Sequence, residues 1–587
     1  MKQKIALSAL ACIIAGSTLA TGQTQVVWHN SLLGPDSYVI QDSVRLPGGD
    51  IVYVGDVERP AQTNLLAIRQ DINGNTVWIK TFAKPGPAGD VFARRARLSP
   101  LTNNIVVASE VTGNATPRDI WMFEIDQNGN GVQDRQINIF NNDRVGDLEV
   151  GIAGNMFLGI QDNLVGTQPR FLKMLPNMVT MFTYLYGAAA AGSIQKIEDI
   201  EVDPITGDSV ISGVVDNAGQ ADIGLDRIDQ FGAVLYTKLI GDAVNGDGGS
   251  NVDIASDGSV YLAYSRSRFT VNELGRISKF DPPGVFQWNS DSTGMSWVDV
   301  AEMPSGDVIF AGSVDTVGGE TRAMRFTSTG TLKWTTNVSQ PDLDRNLLDK
   351  LAIDTDGTIS TISHVNQTGR VDADWEVNSF MANGTHLYKW RYDTGVGLYD
   401  LPSVLEPVGN KNVIVGGYKS LFMDSDIHVF RLNPFLLVVP ATVTVVLGRL
   451  NFGDVTALSN DDNTYLEVCK FIVPNISTPP VNIEVKASVQ AGYPVGSITF
   501  ATILKANTPS LQADVQQWDY VANAWGASTL VTFGTSEVTV TSTGDPLTNV
   551  EAVTQNVKAR VRVKAVGPTT TNLWCVDFDQ AGWIVTP

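Results

Sequence analysis

The side chains best suited to chemistry are scattered along this chain. His29, His364, His386 and His428 are its four histidines, and each stands alone on a stretch that reads as strand or turn. A metal centre needs ligands at set spacings, as in His-Glu-x-x-His, and no such run occurs. The sequence also lacks a Gly-x-Ser-x-Gly elbow, a Cys-x-x-Cys pair and the Gly-Lys of a phosphate loop. A solitary strand histidine is more often packed or solvated than catalytic. No catalytic, cofactor-binding or metal-binding residue is therefore assigned, and no cofactor is expected.

Three constellations carry oxygen or charge. Asp126-Gln127-Asn128-Gly129-Asn130-Gly131 places oxygen ligands at alternate positions, like the opening of a calcium loop. Position twelve is Ile137 instead of a bidentate Glu, and the segment coincides with a hairpin turn that recurs along the chain, so we read a turn. Asp119, Asp222, Asp374 and Asp426 open equivalent strands, a pattern that either rings one face for cations or sugar hydroxyls or caps local loops. Capping is the simpler account. Arg94, Arg95 and Arg97 form the one compact basic group and read as solvated strand residues rather than an anion site. Paired carboxylates could serve glycoside hydrolysis, but the sialidase-type Ser-x-Asp-x-Gly-x-x-Trp box is missing.

Composition narrows the partners. Lys and Arg number 41 against 62 Asp and Glu, a net charge of -21 spread without runs, so a nucleic-acid partner is not expected. Lys2 and Lys4 precede an apolar stretch from Ile5 to Ala15 and then small residues up to Gly22, which reads as a secretory signal over residues 1–22. A lipoprotein reading through Cys12 fits less well, because Ala9 stands where Leu is usual. No later stretch is apolar and long enough for a transmembrane segment, so the expectation is a secreted or cell-surface protein. Beyond the signal, Cys469 and Cys575 remain, both in strand-like runs, and a disulfide between them is favoured over two buried thiols.

These residues sit on a repeated unit. Asp71-Ile72-Asn73-Gly74 is followed by Trp78, Asp229-Gln230-Phe231-Gly232 by Tyr236, and Asp281-Pro282-Pro283-Gly284 by Trp288, always four residues after Gly. Looser copies run from Gly330 to Trp334 and from Gly384 to Tyr388. Apolar strand ends fall at Gly55, Ser109, Ile160, Gly213, Tyr264, Gly312, Ser363 and Gly417, giving spacings of 54, 51, 53, 51, 48, 51 and 54. A period of about 50 residues with four short strands is the size of a propeller blade. Asp at the first turn position accepts a backbone bond and Gly at the fourth tolerates positive φ. The aromatic then lies on the blade's last strand, where it can cover the core between blades.

The expected fold is all-β, an eight-bladed β-propeller over residues 23–434, with seven blades as the alternative. The copy over 141–187 is the most degenerate, lacking a turn Gly near Pro176-Asn177. The last copy ends at Phe430-Arg431-Leu432 without an aromatic strand, while Val26-Val27-Trp28-His29-Asn30 is an aromatic strand without a copy. The N-terminal strand should therefore close the ring, removing open edges. Residues 435–587 carry longer alternating segments such as Val557-Lys558-Ala559-Arg560-Val561-Arg562-Val563 and are expected to form a C-terminal β-sandwich.

The Gly-to-Trp spacing of Gly74/Trp78, Gly284/Trp288 and Gly330/Trp334 resembles the tryptophan-docking repeats of bacterial quinoprotein-like β-propellers, over residues 26–434. The turn here is one residue shorter than that family's, and the propeller region lacks the adjacent cysteines that its quinone enzymes carry. The resemblance thus implies the fold and no quinone site. The C-terminal segment, with Ser459-Asn460-Asp461-Asp462-Asn463 before a strand, resembles sandwich modules of exported bacterial proteins.

Function follows less directly. The first expectation is an exported, non-enzymatic propeller that binds a protein or a glycan through loops on one face, drawn from 83–95, 187–197, 240–252 and 339–347. The second is an extracellular polysaccharide lyase or hydrolase, which needs Asp or Glu with Arg or His converging at the channel mouth. The third is a scaffold for assembly at the cell surface. Trp28, Trp78, Tyr236, Trp288, Trp334 and Tyr388 are assigned structural roles in the repeat.

Overall fold

The computed structural model describes residues 23–586 except 33–35, 60–61, 85–88, 113–117, 140–141, 163–167, 188–194, 218–219, 242–245, 267–272, 315–318, 340–342, 368–372, 393–398, 410, 422–423, 439, 459–464, 471–478, 490–494 and 567–572. The signal segment 1–22, the centres of the four variable loops and the Ser459–Asn463 stretch lie outside the described residues. The chain divides into two compact units, one of residues 26–386 and 390–432, the other of 1–25, 387–389 and 433–587.

The larger unit is a succession of antiparallel four-stranded sheets, as in propeller blades, each built in chain order. Their first strands are Ser37–Arg45, Val91–Leu98, Asp143–Val150, Lys196–Val202, Gly248–Ile254, Met295–Glu302 and Leu343–Ile353. Tyr399–Pro407, Val413–Leu421 and Asp424–Val438 form a further three-stranded run, and the N-terminal strand Gln23–Leu32 pairs with Asp424–Val438 as its fourth member. First strands touch one another in sequence order, and Tyr399–Pro407 touches Ser37–Arg45, so the order closes on itself. Second strands such as Ile105–Val111 are buried along their whole length, which is why they read as unbroken apolar runs.

The repeated turn works as its residues require. In the first sheet Gly74 has φ +82 and donates to the Asp71 carbonyl at 2.9 Å, while the Asp71 carboxylate takes Asn73 N–H at 2.9 Å and Asn75 N–H at 2.7 Å. Asp126 repeats this, accepting from Asn128 N and Asn130 N at 2.8 Å, so its oxygens serve the turn. In the degenerate third sheet, Met178 takes the glycine's place with φ +59 and donates to the Leu175 carbonyl at 2.8 Å.

The aromatics do more than cover a core. Trp28, Trp78, Trp288 and Trp334 each donate Nε1–H to a turn carbonyl of the following sheet, on Ile72, Gln127, Ser328 and Ala382, at 3.2, 3.0, 3.1 and 2.9 Å. A basic residue from the third strand joins each indole on the same carbonyl: Arg431, Arg69, Lys279 and Arg325 respectively. The rings lie against the turn glycines. A Cβ added at Gly74, Gly284, Gly330 or Gly384 would fall 2.6, 2.5, 2.7 or 2.6 Å from Trp28, Tyr236, Trp288 or Trp334. Tyr388 is buried in the strand His386–Tyr392.

In the smaller unit two antiparallel sheets share one apolar core. One contains Thr442–Leu447, Val481–Ser488, Asn556–Ala565, Leu511–Asp519 and Thr529–Phe533; the other contains Leu466–Cys469, Cys575–Thr586, Ser497–Ala506 and Val538–Gly544. Alternate residues Val557, Ala559, Val561 and Val563 face that core. Cys469 and Cys575 are register partners on neighbouring strands and form the disulfide, closing a loop with a sequence separation of 106. Among the described residues no helix is long and apolar enough to cross a membrane.

Trp334→Phe keeps the ring and removes its donor to Ala382. It should cost about 1 kcal/mol in urea unfolding of the larger unit, and Trp334→Ala at least twice that. An unchanged midpoint in Trp334→Phe would show that the Nε1 bond contributes nothing.

Candidate functional site

Each first strand carries a β-bulge at one equivalent position. Pairing with the second strand skips between Ile40 and Asp42, Ala93 and Arg95, Val145 and Leu148, Ile197 and Asp199, Gly248 and Asn251, Ser296 and Asp299, Leu348 and Lys350, and Pro402 and Val404. The bulge drives its backbone toward the opposite strand, where only glycine fits. A Cβ at Gly55, Gly213 or Gly417 would lie 1.8, 2.1 or 2.2 Å from the carbonyl oxygen of Val39, Lys196 or Leu401. That contact explains why so many copies end this strand in Gly.

In seven of these sheets the side chain set by the bulge reaches another first strand. Asp42, Asp147, Asp199 and Asp299 accept the backbone N–H of Ala96, Ile200, Val252 and Leu351 at 3.1, 3.1, 2.7 and 2.9 Å. Asn251 donates Nδ2–H to the Val298 carbonyl at 2.5 Å. Arg95 meets Asp147 at 2.9 Å, and Lys350 meets Asp42 at 2.9 Å. Arg97, one inward step further, pairs with Glu149 at 2.8 Å and Asp42 at 3.1 Å, and Arg94 pairs with Glu110 at 3.0 Å. The arginine trio is therefore not a set of solvated strand residues: bulges and inward alternation turn two of them into an acidic ring.

Charge is uneven around that ring. Despite its burial, Lys350, Arg97 and Arg95 hold Asp42 well below the usual carboxylate range. Farther round, burial outweighs the same cations and lifts Asp253 and Asp299 to about 6, and Asp199 and Glu201 well up, with Asp147 and Glu149 adding repulsion.

On this cation-poor side the first strands of five consecutive sheets enclose a cavity of about 440 Å³. Its lining includes Gln161, Lys196, Glu198, Gly249, Asn251, Trp297, Asp299 and Asp349. Glu198 forms an ion pair with Lys196 and accepts Ser250 N–H at 2.7 Å; Asp349 lies 3.0 Å from His364 Nδ1. Trp297 differs from its counterparts. Ile40, Ala93, Val145, Ile197 and Leu348 are all buried at this point of the bulge. Trp297 has φ +49 and is 37% exposed, while Val298 beside it turns into the core at 2%. A left-handed conformation is strained for so bulky a residue, costing on the order of 1–2 kcal/mol. The adjacent sheet has Gly249 at this point, also left-handed at φ +65.

Sequence reasoning missed Trp297, Glu198 and Asp299, while Asn251 falls within the 240–252 segment named above. The available signal was the column of aligned copies, in which Trp297 is the one aromatic and stands off the Asp-x-x-Gly spacing. The repeated aspartates do not converge. Asp119, Asp222 and Asp374 are buried, and the residues preceding them, Arg118, Ala221 and Ala373, accept N–H from Asp143, Asp247 and Asp400 of the next sheet, each at 2.7 Å. Among the described residues the one close group of three potential metal ligands is Glu467 with Cys469 and Cys575, and both of its sulfurs are in the disulfide. Two histidines that looked isolated meet: His29 Nε2 lies 3.1 Å from His428 Nδ1 in the closing sheet, where burial and His29 lower His428 to about 4.

No protein-family model and no curated protein matches the chain. Solved structures similar to it are β-propeller proteins. Dihydro-heme d1 dehydrogenase NirN is 11% identical, covering 69% of this chain and 75% of its own, with a TM-score of 0.39. Sqt1 from Chaetomium thermophilum is 10% identical over 70% of this chain and 99% of its own, at 0.43. The β-propeller domain of the Trilobed protease from Pyrococcus furiosus is 10% identical over 60% and 97%, at 0.36.

The raised carboxylates set a pH dependence. Burial lifts Asp56 to about 7 and Asp253 and Asp299 to about 6, so the folded state holds protons that the unfolded chain has released. Their stabilising contribution is complete below about pH 4 and is lost as pH rises to about 7. Asp42 acts oppositely, but its contribution falls away only below the usual carboxylate range, and the lowered His29 and His428 oppose the trend below about pH 6.5 as two groups against the larger set of raised carboxylates. Calorimetry should therefore give the larger unit a higher Tm at pH 5.5 than at pH 8; a flat or inverted profile would contradict the burial argument.

Proposed function

We propose that the chain is an exported eight-bladed β-propeller over residues 23–434, closed by its N-terminal strand and followed by a β-sandwich, and that it binds a glycan in the cavity around Trp297. The observation that carries the reading is the left-handed Trp297, which presents its indole to a concavity when five counterparts bury theirs. Strain held in a bulky residue is retained where it serves a site. A pyranose ring offers a C–H face to stack on an indole and hydroxyls to the planar amides and carboxylates of Gln161, Asn251, Glu198 and Asp349. A concavity of this size suits a short saccharide better than a protein surface. Export agrees with the Cys469–Cys575 disulfide.

On a glycan array the full-length protein should show a defined set of ligands, and Trp297→Ala should weaken them at least tenfold. Trp297→Gly should be more stable than Trp297→Ala by about 1 kcal/mol, reversing the ordinary order because the backbone there is left-handed. An unchanged array profile in Trp297→Ala would refute this site.

A polysaccharide lyase or hydrolase is the second reading, favoured by Asp299, which lines the same cavity and is lifted to about 6 by burial, within the range of a general acid. It ranks below binding because Val300 N–H at 2.8 Å and Leu351 N–H at 2.9 Å occupy both its oxygens. Incubating array-positive glycans with protein and following new reducing or unsaturated ends should show none. Product that disappears in Asp299→Asn would replace binding with catalysis.

A further inference from the structure

The smaller unit carries a surface that the cavity reading does not use. On the sheet containing Val481–Ser488, Asn556–Ala565 and Leu511–Asp519, alternate residues leave the core and face outward. Asn556–Ala565 contributes Lys558, Arg560, Arg562 and Lys564 to this face, and its neighbour adds Lys486, against Glu484 and Asp514. Five cations against two carboxylates leave a surplus of three positive charges, in a chain whose net charge is -21. Both carboxylates are already used: Glu484 pairs with Lys558 at 2.8 Å, and Asp514 pairs with Arg562. Arg560, between them, is held by the neutral Gln516, whose Oε1 takes Nε–H at 2.8 Å and Nη2–H at 2.6 Å.

Aromatic surface lies beside that guanidinium. Trp518 and Trp525 meet edge to face with centroids 5.0 Å apart, neither of them buried. The Arg560 guanidinium carbon is 4.3 Å from the Trp525 centroid, and Lys558 Nζ lies 4.8 and 4.6 Å from Trp518 and Trp525. Stacking on the indole and bonding to Gln516 fix the guanidinium plane before any ligand arrives, so little of its rotamer freedom remains to be lost on binding.

We infer that this outer sheet face is a docking surface for an anionic polysaccharide, with Arg560 and its flanking lysines taking uronate carboxylates and the Trp518–Trp525 pair taking the sugar ring. Charge complementarity selects an anion, and the aromatic pair selects a ligand with an apolar face. A uronate polymer spaces its charges by whole sugar rings and supplies hydroxyl donors, which Glu484 and Asp514 can accept between the cations. A nucleic-acid duplex, with a phosphate about every 1.7 Å of axis, would meet those two carboxylates as repulsion.

The test uses the full-length protein on immobilised polygalacturonate and alginate, with dextran as the neutral control. Wild type should be retained by the acidic polymers and not by dextran, and retention should fall as NaCl rises. Arg560→Gln and Trp525→Ala should each weaken binding at least tenfold, and Arg560→Lys should recover part of it. Should Trp525→Ala unfold, Lys486→Gln with Lys564→Gln at the two exposed ends should still weaken binding at least threefold. Equal retention on dextran, affinity unchanged in these variants, or competition by a 20-base-pair DNA duplex at lower concentration than polygalacturonate would overturn the proposal. Loss through Trp297→Ala would instead move acidic-glycan binding to the cavity.

Discussion

The structure depends on a girdle of hydrogen bonds that joins each first strand to the next. Sheets of this kind pack mostly through apolar side chains, and apolar contact alone does not fix how one sheet is rotated on its neighbour. The side chain placed after each bulge supplies that direction. Asp42, Asp147, Asp199 and Asp299 take the backbone N–H of the next first strand, and Arg95 and Asn251 make two further steps. Lys350 spans past Tyr399–Pro407 to Asp42, and Ser43 Oγ–H donates to Glu406 of that strand at 2.6 Å. Such bonds are strong because they are charge-assisted and shielded from water. Their cost is a set of buried carboxylates, which is tolerable because each has donors and several can hold a proton. The same acids that look like catalytic material are thus accounted for by architecture.

How far the sequence is legible follows from the distance over which each feature is determined. The Asp-x-x-Gly turn is a local matter, settled by the Asp71 carboxylate and the positive φ of Gly74, and so it is readable from four residues. The aromatic four residues on is readable too, but its partner is not: Trp78 reaches Gln127, across 49 positions. Arg95 and Arg97 look solvated in isolation, because nothing near them in sequence reveals that a bulge turns them toward Asp147 and Asp42. Trp297 escaped for a related reason. An aromatic within an apolar strand normally reads as core, and only the backbone twist that exchanges it with Val298 puts it at the surface. Met178 shows the reverse case, where a missing glycine suggested a lost turn and a methionine made the turn regardless.

The two units divide their surfaces by charge. The cavity lies on the cation-poor side of an acidic ring, whereas the outer sheet of residues 433–587 gathers cations in a chain with a strong acidic excess. Local charge, more than net charge, decides what each surface can hold. Both surfaces also set an indole among planar polar groups: Trp297 shares a cavity lining with Asn251 and Gln161, and Trp525 stacks under Arg560, which Gln516 holds. That combination suits ligands with one apolar and one hydroxylated or charged aspect.

The pairing of Gln23–Leu32 with Asp424–Val438 has a consequence for biogenesis. The strand that completes the last sheet precedes every other strand of its unit in the chain, and its partner emerges some four hundred residues later, as the 399-position gap between His29 and His428 records. Until then the nascent polypeptide can stack its sheets but cannot latch, so the closed circle is reached only once residues 424–438 have emerged. A chain kept unlatched in this way stays threadable until Asp424–Val438 arrives to lock the circle.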